Sequence, residues 1–124
     1  MKQVLATDQA PAAIGPYSQG IAASETVYVS GQLPLDPATG TFPEGIAAQT
    51  AQSLKNIQAI LAQQGMTLAN VVKTTVFLAD INDFAEMNKV YVEFFTQPYP
   101  ARSAVQVAKL PKDAPLEIEC IAVK

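Results

Sequence analysis

Along this chain the spacing of apolar positions changes several times, and each change predicts an element. Residues 21–33, IAASETVYVSGQL, alternate around a polar break at Ser24–Glu25, which predicts a hairpin of two strands. Before them a short apolar stretch, VLA, leads into the turn-rich APAAIGPYSQG of residues 10–20. Residues 34–45, PLDPATGTFPEG, have the Pro, Asp and Gly content of a loop. From about residue 45 to 64 the period lengthens to that of a helix. Ile46, Ala47, Thr50, Leu54, Ile57 and Leu61 mark its apolar stripe, and Gly65 stands where it should stop. The β-branched VVKTTVFLA at 71–79 predicts a strand. Asp83 with Glu86 three residues later resembles a capping box opening a second helix. Phe84, Met87, Tyr91, Phe94 and Phe95 share one face of that helix, and a core-facing stripe is the simpler account of these aromatics than a binding box. The prolines of QPYPA end it. RSAVQVAKL and LEIECIAVK predict the last two strands, joined by PKDAP.

The order is strands, helix, strand, helix, strands. It predicts an α+β fold, a two-layer sandwich in which two helices cover one face of a mixed β-sheet, with residues 1–124 forming one domain. In LEIECIAV, Leu116, Ile118, Cys120 and Ala122 point one way, and Glu117, Glu119, Ile121 and Val123 the other. Both sets contain apolar residues, yet two helices cover only one face. The other face is where a further subunit would pack.

Composition supports this and narrows the chemistry. The 124 residues are 49% apolar and 15% charged, enough for a core without disulfide or metal, and sparse charge points to self-association. A net charge of −3 with lysines scattered singly opposes binding to nucleic acid. Cys120 is the single cysteine and reads as a core thiol, compatible with a reducing compartment. The opening MKQVLATDQAPA is too poor in apolar residues for a signal peptide, and no stretch suits a membrane span, so the expectation is a cytoplasmic protein. There is no histidine, which removes His-based triads and His-ligated metals. Acid–base groups must come from carboxylates, Tyr, Lys or water.

Arg102 is the only arginine among eight cationic side chains. It heads a predicted strand and shares a face with Ala104 and Gln106, and Glu117 heads the next strand. Paired as a hairpin, the two would approach on the less covered sheet face. Two readings stand on spacing alone. One is a cross-strand Arg–Glu pair at a subunit interface. The other is a clamp in which the planar guanidinium grips a small carboxylate in a way lysine cannot, with Glu117 as acid–base or water-orienting group. Tyr17 and Ser30 could supply hydroxyls or serve turns. Gly15 and Pro16 make the turn before Tyr17, and Asn88, between charged neighbours, could be a solvated helix residue.

APAAIGPYSQG (10–20), VSGQLPLDPATG (29–40) and PARSAVQVAKLPKDAPLEIECIAV (100–123) closely resemble the Rid proteins, also called the YjgF family, and in particular the RidA branch of reactive intermediate deaminases. The likeness runs nearly end to end. It implies a chorismate-mutase-like fold and a homotrimer with a central barrel, whose ligand clefts lie between subunits. It implies hydrolysis of 2-iminobutanoate and 2-iminopropanoate, or their enamine tautomers, to 2-oxo acids and ammonia, without cofactor or metal. It also implies a functional link to the pyridoxal-phosphate dehydratases that release such imines. Within it Arg102 and Glu117 correspond to the catalytic arginine and glutamate, and Tyr17, Ser30, Gly31 and Asn88 to substrate-binding positions. Many RidA members carry a cysteine two residues after the arginine; here it is Ala104, so no thiol is available there, though its backbone can still contact ligand. A non-catalytic trimeric sensor or partner-binding protein for small carboxylates is the alternative.

Overall fold

The 3.6-residue period over residues 46–62 becomes α1 (Ile46–Ala62) in the computed structural model, which describes all 124 residues. Its buried face is broader than the hydrophobic spacing suggests. Ala47 is exposed, whereas Ser53, Asn56 and Ile60 join Ile46, Thr50, Leu54, Ile57 and Leu61 inside. Local bonds explain Thr50 and Asn56, whereas the buried Ser53 hydroxyl has no hydrogen-bond partner. The Thr50 hydroxyl donates to the Ile46 carbonyl at 2.7 Å, and the Asn56 amide donates to the Leu33 and Leu35 carbonyls at 3.2 and 2.9 Å. Asn56 thereby holds the loop after the first hairpin onto the helix. Gly65, at φ 69°, ends α1 as expected; its N–H donates to the Ala62 carbonyl and that of Met66 to the Leu61 carbonyl.

The remaining elements are β1 (Lys2–Leu5), β2 (Gly20–Ala23), β3 (Thr26–Gln32), β4 (Val71–Leu78), α2 (Phe84–Phe94), β5 (Ala101–Gln106) and β6 (Leu116–Val123). The hairpin β2–β3 turns at Ser24–Glu25, and both helices lie where the sequence places them. The start of α2 differs in detail. The Asp83 side chain caps nothing; Asp80 instead accepts from the Asn82 N–H at 2.9 Å in a one-turn 3₁₀ segment, Ile81–Asp83, that leads into the helix.

One six-stranded sheet runs β1-β2-β3-β6-β4-β5, antiparallel except for the parallel pair β4–β5. Leu116, Ile118, Cys120 and Ala122 of β6 are buried beneath the helices with Val27, Val29, Val76 and Leu78. This is the α+β arrangement of two helices on a mixed sheet. Met87, Tyr91 and Phe95 close the core from the α2 side, as their shared face requires. Gly20 belongs to the same packing, since a Cβ there would meet Ile60 Cγ2 at 2.8 Å.

The expected hairpin of the last two strands does not form. β6 inserts between β3 and β4, and β5 pairs only with β4, leaving β5 at the sheet edge. Burial explains the difference: β6 is buried or half-buried at all but one position and suits the centre, whereas β5 has no fully buried residue. Register then fixes the faces. Arg102 stands opposite Thr74, which stands opposite Cys120, so Arg102 is on the helix face. Glu117 stands opposite Phe77 on the open face. The open face also carries Val4, Ile21, Tyr28 and Ile121 in one row, with Tyr28 and Val4 more than half exposed. No helix is long and apolar enough to cross a membrane.

Candidate active site

Glu117 sits on the open face where β6 passes a β-bulge in β3 between Val29 and Gln32. Its carboxyl group lies directly over Gly31. A Cβ at that position would be 2.6 Å from Glu117 Cδ and 2.7 Å from Oε1, so the missing side chain is what leaves room for the acid. Burial pushes the Glu117 carboxyl above the usual carboxylate range, and the nearby Glu119 adds to the shift. Glu117 and Gly31 line a cavity of about 490 Å³ together with Tyr17, Ile14, Leu33 and Lys112. Tyr17 reaches it from the loop before β2, turned by Gly15 at φ 123°. Ser30 does not present its hydroxyl to the cavity. It donates to the Ser18 carbonyl at 2.6 Å, while its N–H donates to the Gln19 carbonyl, and so ties the Tyr17 loop to β3.

Arg102 lies on the other side of the sheet, at the edge formed by β5 and α2. Its guanidinium donates to Asn88 Oδ1 at 2.7 Å. It also lies 4.7 Å from the Tyr91 ring centroid and 5.3 Å from that of Phe84. Tyr91 is itself fixed, sharing a 2.7 Å hydrogen bond with the Thr74 hydroxyl and stacking at 4.5 Å on Phe95. Burial raises the Tyr91 phenol above its ordinary range, opposed by the Thr74 bond and by Arg102. Asn88 is therefore the guanidinium's holder and not a solvated helix residue. The aromatic stripe of α2, expected as core, does both jobs: Met87 and Phe95 pack inward while Phe84 and Tyr91 cradle the cation.

No carboxylate pairs with Arg102. The ion pair in the chain is Lys109–Asp113 at 3.2 Å, on the surface, so the cross-strand Arg–Glu reading fails within one protomer. Arg102 and Glu117 are separated by β4 and by the thickness of the sheet, so within a single copy they do not meet. Ala104 follows Arg102 on the helix face and packs against the core. Cys120 is buried, and its thiol is pushed up to about 12 by burial, then by Glu119, which makes it a packing residue. Lys112, Phe84 and Tyr91 were not marked by spacing as site residues; the lone arginine beside an aromatic helix face was the only signal for the latter two.

Comparison with known proteins places this arrangement. Residues 7–124 match the family described as Endoribonuclease L-PSP. A 2-iminobutanoate/2-iminopropanoate deaminase of Salmonella typhimurium is 51% identical, with 100% of this chain and 99% of that protein covered. Among solved structures, Escherichia coli TdcF with bound serine superposes with a TM-score of 0.94 at 47% identity, over 98% of each chain. RidA from an Antarctic Psychrobacter gives 0.95 at 50% identity, over 98% of this chain and 99% of the other.

Proposed function

This chain belongs to the Rid (YjgF) family, and from that premise we propose that it hydrolyses 2-iminobutanoate, 2-iminopropanoate and their enamine tautomers to 2-oxo acids and ammonia. The observation that carries the reading is Arg102: a half-buried guanidinium, oriented by Asn88 and two rings, with no carboxylate partner of its own. Such a group is a ready clamp for the α-carboxylate of a small substrate. The serine bound to TdcF carries the same α-carboxylate.

Glu117 supplies the chemistry. Burial raises its pKa above the ordinary carboxylate range, which favours its taking up a proton and returning it. It orients a water whose oxygen bonds to the imine carbon while the imine nitrogen takes up a proton. From the resulting carbinolamine, the hydroxyl proton passes through the carboxylate to nitrogen. The C–N bond breaks as C=O forms, and ammonia leaves. Tyr17 and Gly31 shape the cleft around that water, Ser30 holds the Tyr17 loop, and the Ala104 backbone borders the clamp. None of these steps calls on a thiol, metal or cofactor.

A site with both Arg102 and Glu117 needs two copies, the β5–α2 edge of one against the open-face cavity of the next. That contact is heterologous, and a heterologous contact is satisfied when it closes into a ring. A homotrimer with three such sites, its open sheet faces turned to a central barrel, fits the apolar row of Val4, Ile21, Tyr28 and Ile121. A supply of imines from pyridoxal-phosphate dehydratases, and a cytoplasmic setting shared with them, belong to the same reading. A carboxylate sensor would use Arg102 but leave the acid over Gly31 without a task. The net charge of −3 and scattered lysines oppose the RNA cleavage that the family's description names.

The test is a coupled assay in which an amino-acid oxidase or dehydratase generates the imine and semicarbazide traps what escapes hydrolysis. Wild type should outcompete the trap, while Arg102→Ala and Glu117→Gln should not. Unfolding and refolding the two inactive variants together should restore about a quarter of the sites, because each variant donates the half the other lacks. Wild type performing no better than buffer sinks the deaminase reading, and absence of complementation sinks the shared site.

A further inference from the structure

The cavity beside Glu117 holds one cation, Lys112, and otherwise uncharged residues apart from the acid itself. Its position is built by the backbone. Lys112 and Asp113 are consecutive left-handed residues, at φ 58° and 53°, a conformation non-glycine residues adopt only when their surroundings impose it. The surroundings do so here. Leu110 and Ala114 are buried on either side, and the Asp113 and Ala114 N–H groups donate to the Leu110 and Pro111 carbonyls. Asp113 is turned to Lys109 at 3.2 Å, so the neighbouring acid is engaged elsewhere and leaves Lys112 without a counter-ion. The cavity is about 490 Å³ in one copy, before the β5–α2 edge of a second copy would close over it.

Resting on the deaminase reading, we propose that Lys112 is a specificity residue that admits imino acids with a second, side-chain carboxylate, the products of two-electron oxidation at the C–N bond of acidic amino acids. Arg102 takes the α-carboxylate and Lys112 the distal one, with the imine carbon between them in front of Glu117. The hydrolytic step is unchanged: water adds across C=N, the proton moves from oxygen to nitrogen, and ammonia leaves a 2-oxo dicarboxylate. A lysine suits this task because a mobile point charge meets a carboxylate at variable reach, whereas the α-carboxylate, always at one place, has the planar fork.

The experiment compares kcat/KM for iminosuccinate, freshly generated by an aspartate oxidase, with that for 2-iminobutanoate in the full-length protein. Variants are Lys112→Met, Lys112→Arg and Lys112→Gly, the last keeping the left-handed backbone without strain while removing the charge. The expected result is a loss of about two- to fivefold on iminosuccinate in the Met and Gly variants, with the arginine variant near wild type, as suits one exposed ion pair. Any loss on 2-iminobutanoate, which has no second carboxylate, should be smaller, so the ratio of the two kcat/KM values falls. Equal losses on both substrates, or a preference unchanged in Lys112→Gly, overturn the proposal. If wild type fails on 2-iminobutanoate as well, it is the deaminase reading that has failed, and the two failures are thus told apart.

Discussion

Arg102 and Glu117 are held on opposite faces of one sheet by opposite means. On the helix face, Arg102 is fixed by what surrounds it: an amide at 2.7 Å and two rings within 5.3 Å. On the open face, Glu117 is fixed by what is missing, the side chain of Gly31. The arginine half holds a planar cation with a fork of donors and is therefore suited to binding. The glutamate half holds an acid whose pKa is raised by burial, and is suited to proton transfer. The two side chains lie on different faces, so within one copy neither perturbs the other. Within its own protomer no arginine pairs with the acid.

The sharpest way to break this division is to alter each half in turn. Glu117→Gln keeps shape but abolishes proton transfer, and kcat is expected to fall by about 10²- to 10⁴-fold with KM little changed. Arg102→Lys keeps charge but loses the fork and the stacking on Tyr91 and Phe84, with an expected loss of about 10- to 100-fold in kcat/KM that appears mainly in KM. Steady-state kinetics on 2-iminobutanoate separate the two patterns. Were both variants to fail mainly in KM, the glutamate would be another binding group and the division would be lost.

Gly31→Ala sharpens the same point from the backbone. A Cβ 2.6 Å from Glu117 Cδ must displace the carboxyl, but the obstacle is the end of a flexible side chain, so the fold survives. A misplacement near 1 Å can cost about 100-fold in rate, and an acid that revisits its place part of the time should lose about tenfold. Thermal unfolding should move little in this variant. Gly20→Ala offers the contrast, because its Cβ would press on Ile60 in the core, and there stability should fall instead.

The pH dependence of stability follows from the direction of the Glu117 shift. Its folded-state pKa is raised, by burial first and by Glu119 second, so the folded protein binds this proton more tightly than the unfolded chain. The carboxylate therefore lowers stability above the folded pKa, and that cost disappears as pH falls through it toward the ordinary glutamate value. Glu117→Gln should melt no lower than wild type at neutral pH, with any advantage shrinking on acidification. Melting curves from neutral pH down to about the ordinary glutamate pKa check this. A Glu117→Gln variant less stable than wild type at neutral pH and equal at low pH would reverse the assigned shift.

How far the sequence could be read follows the same division. Alternation in LEIECIAV assigned the faces of β6 correctly, and the 3.6-residue period located both helices. Alternation specifies which face a residue shares, though, and not which strand lies next to it. The insertion of β6 between β3 and β4 was therefore invisible, and with it the fact that Arg102 and Glu117 lie on opposite faces. Asn56 and Ser53 were missed on α1 because polar residues do not register in a hydrophobic stripe. Lys112 was missed because its entry into the cavity depends on two left-handed residues that no periodicity marks. The candidate residues themselves were legible through family resemblance and through one arginine among lysines; their geometry was not.

The finest test concerns Asn88, which touches the arginine and, on this account, acts through it. Asn88→Ala leaves the guanidinium stacked on Tyr91 and Phe84 but frees it to turn, so KM should rise about a few-fold, less than the full worth of a hydrogen bond to a charged group because the stacking remains, while kcat holds. Asn88→Asp is nearly isosteric and keeps the contact, yet it supplies the carboxylate that Arg102 otherwise lacks. An internal ion pair then competes with the substrate's carboxylate, and KM should rise further than in the alanine variant. A residue needed only for helix packing would give the reverse order, because aspartate preserves the packing that alanine removes. The ranking of the two KM values thus decides whether Arg102 is kept unpaired so that it can bind.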